Sequence, residues 1–384
     1  MLEIVQITKY YPPYVAGIPN YVQLLCEELM KQHRVTVLTS NTSFSRCEEV
    51  DGNLRVIRVP RLMELRSTAL CPTLPWELGR LHADIVHLHF PDPMAHFAYM
   101  LGGKSRKLVI TWHSDIVRQR VLLAPYRSFL RRIVQRADRI IVASPAMREK
   151  SSWLSNVQDR CAVIPYGVDL ARFELTREVE EQVLDAKRRY GSPLILFVGR
   201  LVYYKGLEYL LEAMREIEGK LLVVGAGPLD RDHRRQAEQL GVRQKVEFLG
   251  EVSDDRLRVL LHACDLFVLP STERSEAFGL VQLEAMACSK PVVCTDLPTG
   301  VPWVNQDGRT GFVVPPRDVR ALQNAIQRLL KNPSVRKQFG EAGRKRVESE
   351  FTSGLHARRM LSLYEGLLNA TARLQKAGPC QVRE

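Results

Sequence analysis

Two glutamates eight positions apart, Glu276 and Glu284, lie in the run Ser275-Glu276-Ala277-Phe278-Gly279-Leu280-Val281-Gln282-Leu283-Glu284-Ala285-Met286-Ala287. This run follows an apolar segment, Asp265–Pro270, across a polar loop. Glycine at 279 lets the backbone pass close to a ligand. A helical pattern follows it, so the amide N–H groups of residues 277–281 lack helical partners and point beyond the strand end. Donors at the positive end of a helix suit pyrophosphate and polyhydroxyl groups. With most of the interval helical, Glu284 sits about one turn beyond the loop. There it can chelate a ribose diol while Glu276 addresses a sugar.

A second run, Val198-Gly199-Arg200-Leu201-Val202-Tyr203-Tyr204-Lys205-Gly206, has the same strand, turn and helix order. Two cations at such a turn can clamp a diphosphate and stabilise the charge that appears as a bond to phosphate breaks. Val223-Val224-Gly225-Ala226-Gly227-Pro228 is a third strand-to-glycine turn, weak by itself. Near the N-terminus, Tyr11–Asn20 leads from a strand into a helix; Pro19 fits a first helical position. Gly17 can bring backbone amides up to a phosphate there.

These loops need parallel strands to hold them. β-branched runs alternate with amphipathic helical patterns throughout, as in doubly wound α/β domains. The first set of strands is Glu3–Thr8, Arg34–Thr39, Leu54–Val59, Ile85–Leu88, Leu108–Trp112, Arg139–Ala143 and Ala162–Ile164, with helices such as Asn20–Gln32 and Pro125–Arg136 between them. The pattern breaks around Pro165–Asp169. After a charged stretch read as a linker near 168–192, it restarts with Leu194–Val198, Lys220–Val224, Lys245–Leu249, Leu266–Leu269, Pro291–Cys294 and Gly311–Val314. Val335–Leu374 reads as helices. At 384 residues the chain suits two such domains.

Composition narrows the function classes. The start, Met1–Ile7, has no basic n-region and reads as a strand, not a signal peptide. No run approaches the roughly 18–20 apolar residues that span a bilayer. The eight cysteines show no C-x-x-C pair and read as reduced, buried, small hydrophobes. Net charge is +12, and residues 1–172 hold 23 Lys and Arg against 15 Asp and Glu. Seven arginines and one acid fall within Val117–Arg139. A helical wheel puts Leu122, Tyr126, Phe129 and Ile133 on one face and Arg120, Arg127 and Arg131 on another. That is either a solvated basic face or a surface for anionic lipid. Nucleic acid would want interleaved aromatics and a reader motif, and neither is visible.

His87-Leu88-His89 sets two imidazoles on one strand face, which invites a metal, yet no further His or Cys ligand is evident. Asp230-Arg231-Asp232 stands at a helix start, where acids simply suit the helix dipole. No metal or cofactor is expected.

The Glu276/Glu284 pair with the Gly199–Gly206 run, in this order, resembles the retaining glycosyltransferase family 4 of the GT-B fold, over essentially the whole chain. That resemblance implies two Rossmann-like domains facing a cleft: 1–170 on the acceptor side, 171–354 for the nucleotide sugar, and 355–384 as a helix returning to the first. It implies that Gly199, Arg200 and Lys205 hold the donor diphosphate and Glu284 the ribose. Glu276 and the backbone of Ala277, Phe278, Gly279 and Leu280 would hold the transferred sugar. His113, in Thr111–Asp115, matches the family's cleft histidine; a hydrogen-bonded core histidine is the plainer reading. His89 and Asp115 fall on the acceptor side. Two departures stand out: Tyr166 opens the element that the family begins with asparagine, and Ala16-Gly17 replaces a Gly-Gly loop. The resemblance leans to mannosyl- and rhamnosyltransferases of bacterial surface polysaccharide, with GDP-mannose as donor and a glycan or lipid-linked acceptor. A UDP-sugar glucosyl or N-acetylglucosaminyl transferase is the alternative, and a nucleotide-sugar epimerase a further one. The expected location is cytoplasmic, peripheral on the inner membrane face through Arg118–Arg139.

Overall fold

The computed structural model describes residues 1–14, 17–65, 68–115 and 123–376. It divides into two compact units: Met1–Tyr166 together with the segment from Ser353 onward, and Gly167–Thr352. The chain thus crosses four residues before the break expected after 170, and returns at Ser353.

The first unit carries β1 (Glu3–Thr8), β2 (Arg34–Ser40), β3 (Cys47–Asp51), β4 (Leu54–Val59), a separate hairpin of β5 (Met63–Leu65) and β6 (Thr68–Leu70), then β7 (Ala83–Phe90), β8 (Ser105–Trp112), β9 (Arg139–Val142) and β10 (Cys161–Val163). Its eight-stranded sheet has the order β10-β9-β8-β7-β1-β2-β4-β3. All neighbours are parallel except β3, which runs antiparallel to β4. β3 escaped the sequence reading for a physical reason. As an exposed edge strand with Glu48, Glu49 and Asp51 it carries the charges that protect an edge, and no apolar alternation.

The second unit carries β11 (Leu194–Val198), β12 (Lys220–Val224), β13 (Val246–Gly250), β14 (Leu266–Leu269), β15 (Val292–Thr295) and β16 (Gly311–Val314). The order is β13-β12-β11-β14-β15-β16, all parallel. Its strands are continuous apolar runs because helices cover both faces. Ile195, Phe197, Leu221, Val223 and Val268 are fully buried in one core with Leu210, Ile326 and Leu329 from the helices.

The charged stretch read as a linker is folded. Arg177–Tyr190 is a helix whose N-cap, Thr176, accepts from the Val179 amide. Its charges hide an apolar stripe, since Val179, Val183, Ala186 and Tyr190 are buried. The chain enters and leaves this unit side by side: Val168 N donates to the Phe351 carbonyl at 2.8 Å, and Val168 bridges to Thr352. Among the described residues no helix is long and apolar enough to cross a membrane. The seven described cysteines are free thiols.

Both sheets reverse their order beside the first strand of the unit, between β1 and β7 and between β11 and β14. Diverging loops at the carboxyl ends of such strands leave a crevice, where open α/β sheets bind ligands.

Candidate active site

In the second unit the loops after β11 and β14 flank that crevice and are tied together. Thr272 N donates to the Tyr204 carbonyl at 2.8 Å, and the Tyr203 and Ser275 hydroxyls lie 3.1 Å apart. Across them, Lys205 Nζ meets Glu276 Oε2 at 2.7 Å, with both side chains largely buried. Burial alone would lower the Lys205 pKa, but the Glu276 carboxylate overrides it and holds the ammonium above its ordinary value. Ser271 Oγ donates to the same carboxylate oxygen at 3.0 Å. The sequence reading missed Ser271, since a lone serine after a strand carries no signal. Arg200, in the same loop as Lys205, is exposed and makes no ion pair among the described residues.

Backbone geometry explains the glycines. Gly206 has φ 69°, caps the helix Leu207–Ala213, and a Cβ on it would lie 2.0 Å from the Pro270 carbonyl oxygen. Gly279 has φ 73° and caps the helix Leu280–Ala287. The Phe278 side chain is buried, with Trp303 and Phe351 each near its ring, so only its backbone can face a ligand.

Glu284 is the fifth residue of that helix and half-buried. Burial pushes its carboxyl up to about 7; Asp254 adds to the rise and Arg172 opposes it. Arg172 and Asp254 pair at 3.7 Å. Because the folded pKa exceeds the ordinary 4.5, the folded chain keeps a proton there that the unfolded chain has released, so this group's stability contribution falls as pH rises from about 4.5 to 7. Accepting from two ribose hydroxyls needs the ionised form. Donor KM should therefore fall as pH rises through about 7. Glu284→Gln should lose that dependence and raise Tm at pH 8; unchanged pH profiles and melting in the variant would refute the assignment.

In the first unit the expected acceptor-side residues gather at the carboxyl ends of β7 and β8. His89 Nδ1 lies 3.1 Å from His113 Nε2, and His113 Nδ1 lies 2.7 Å from the Tyr166 hydroxyl. Both His113 nitrogens are thus engaged in the buried interior, and burial pushes its pKa down to about 3. Asp115 Oδ1 accepts from Trp112 Nε1 at 2.9 Å and from Ser151 Oγ at 2.6 Å, which anchors the loop after β8. Gly17 opens the helix Gly17–Leu29 with open space around its α-carbon. Ala16, Leu122 and the basic residues Arg118 and Arg120 lie outside the described residues. Asp230 and Asp232 are paired with Arg234 and Arg235 at 2.8 and 2.6 Å on one helix.

Residues 179–346 match the family described as glycosyl transferases group 1, and residues 15–172 match glycosyltransferase family 4. The sucrose-phosphate synthase of Thermosynechococcus elongatus superimposes with a TM-score of 0.79 at 26% identity, over 96% of this chain and all of that one. The fold is GT-B, and the protein is a glycosyltransferase. The D-rhamnosyltransferase WbpZ of Pseudomonas aeruginosa is 37% identical, over 91% of this chain and 92% of its own. The O-antigen chain mannosyltransferase C of Escherichia coli is 31% identical, over 96% and 100%. The chain belongs to glycosyltransferase family 4.

Proposed function

We propose that this protein is a retaining, metal-independent transferase that moves a hexose from a nucleoside diphosphate sugar to a hydroxyl on a growing surface glycan or its lipid-linked precursor. The buried Lys205–Glu276 pair at the β11/β14 crevice carries the reading. A diphosphate entering there takes Lys205 from Glu276, with Arg200 from the same loop as second cation, and the freed carboxylate turns to the sugar. Ribose lies on Glu284 and the sugar against the backbone of residues 277–280. The bond from the anomeric carbon to the phosphate oxygen breaks, and its electron pair stays on the phosphate. The acceptor oxygen bonds to that carbon from the same face, and its proton passes to the departing phosphate. Glu276 stabilises and positions; it is not the base.

Mannose from GDP-mannose is the favoured donor, supported by the likeness to an O-antigen mannosyltransferase. The alternative is a UDP-sugar. Thermal stabilisation across UDP-, GDP- and ADP-sugars tests this, since a tight ligand raises Tm; the largest shift with a UDP-sugar would overturn the choice. Product NMR should show retained configuration at the anomeric carbon; an inverted product would overturn the mechanism, and donor conversion without acceptor would mark an epimerase instead.

Contact with an anionic membrane is part of the proposal. On the helix Leu123–Arg136, Leu130, Ile133 and Val134 are buried while Arg127, Arg131, Arg132 and Arg136 are exposed. Sedimentation with phosphatidylglycerol vesicles should be lost in Arg131→Glu/Arg132→Glu and at high salt.

A further inference from the structure

Beneath the first sheet lies a buried polar chain with one direction. Gln6 on β1 is in register with His87 on β7, and His89 with Thr111 on β8, so these residues share a face. Tyr21 from the helix Gly17–Leu29, with His356 and Tyr364 from the C-terminal helix Ser353–Lys376, completes the set. All are less than a tenth exposed.

The direction follows from the Gln6 amide, whose Nε2 donates to Tyr364 and whose Oε1 accepts. His356 Nδ1 lies 2.7 Å from the Pro165 carbonyl, which can only accept, so Nδ1 carries hydrogen. Burial lowers the pKa of all four histidines here, His356 to about 4, so each ring is neutral and has one bare nitrogen. His356 Nε2 therefore accepts from the Tyr21 hydroxyl at 3.0 Å. Tyr364, whose oxygen takes a hydrogen from Gln6, gives its own to His87 Nδ1 at 2.7 Å, so His87 Nε2 donates to Thr111 at 2.7 Å. The Tyr364 oxygen accepts from Gln6 Nε2 at 3.4 Å, leaving Gln6 Oε1 to accept from His89 Nε2 at 2.9 Å. His89 Nδ1 then accepts from His113 Nε2, and His113 Nδ1 from Tyr166.

We propose that Tyr166, Tyr364 and Gln6 are positioning residues for glycosyl transfer, fixing His113 through this chain as the tautomer that carries its hydrogen on Nε2. The proposal rests on the reading of His113 as a site residue. In that tautomer the ring offers a donor, and Tyr166 occupies the lone pair that a base would need. A sugar or acceptor hydroxyl can share the Nε2 hydrogen with His89, but it cannot pass its proton to Nδ1. The C-terminal helix, far along the sequence from either glutamate, thereby becomes part of the catalytic apparatus.

Long-range ¹⁵N–¹H correlation of the histidine rings in the full chain tests the ordering directly. The wild type should show single Nε2–H tautomers for His113, His89 and His87, and Nδ1–H for His356; a mixture or the reverse at His113 overturns the proposal. Tyr364→Phe removes the oxygen that holds the Gln6 amide, so the amide can turn and His89 and His113 should sample both tautomers. With it, kcat should fall about tenfold and donor KM change less than about twofold. Unchanged rate and tautomer in Tyr364→Phe would refute the positioning role. His113→Ala separates the underlying reading: wild-type turnover there removes His113 from the site, whatever its tautomer.

Discussion

Glu276→Gln is expected to turn over at least about 10²-fold more slowly than the wild type, yet to bind nucleoside diphosphate no more weakly. The opposed signs follow from the buried pair. Lys205 is held at 2.7 Å by Glu276, so a diphosphate must compete with that carboxylate for the ammonium. Glutamine keeps the shape and the Ser271 contact while removing the competing charge. What is lost is the carboxylate that the transferred sugar and its developing positive charge need. Lys205→Ala is the opposite case: it should lose both binding and rate, and melt earlier, because breaking a buried pair strands one charge and costs about 3–5 kcal/mol. Calorimetry with GDP and UDP beside initial rates separates the cases. If Glu276→Gln kept wild-type turnover, or lost affinity as Lys205→Ala does, the two residues would not share one donor site.

A second large effect is expected at Gly206, with a built-in control. Gly206 and Gly308 both have φ 69°. Around Gly308 a Cβ meets nothing within 4 Å, so Gly308→Ala should cost only the left-handed backbone, about 1–2 kcal/mol. At Gly206 the same Cβ would sit 2.0 Å from the Pro270 carbonyl oxygen and 3.0 Å from Thr272 Cγ2. Neither is the far end of a flexible chain, so the loop carrying Lys205 must leave the loop carrying Glu276. Gly206→Ala should therefore cost at least about 2 kcal/mol more than Gly308→Ala in urea unfolding, and lose activity even where it remains folded. Equal losses in the two variants would mean that the tight approach of these loops is not needed.

The parallel strands were legible because their buried runs are apolar without interruption, as in Leu194–Val198 and Leu266–Leu269. The cation-and-carboxylate loops were legible too, because glycine and charge cluster where strand gives way to helix. Three things were not. The edge strand β3 is polar by necessity, and the helix Arg177–Tyr190 shows solvent mostly charge, so hydropathy misread both. The polar chain that joins Gln6 and Tyr364 to the His87/His89 pair was invisible for a different reason. Its members lie up to 358 positions apart, and each alone looks like an isolated polar residue in an apolar segment. Tyr166 had already drawn notice as a departure from the family's asparagine, and it proves to hold the end of that chain.

The discontinuity of the first unit has a consequence for biosynthesis. Residues 167–352 form a continuous stretch of polypeptide and can close their sheet while the ribosome is still at work. The N-terminal half, although made earlier, waits with buried imidazoles and phenols unmet until Ser353–Lys376 has left the exit tunnel. Order of synthesis and order of completion are thus inverted, and a chain ending at residue 352, once released from the ribosome, should present a protease-resistant C-terminal fragment beside a digestible beginning.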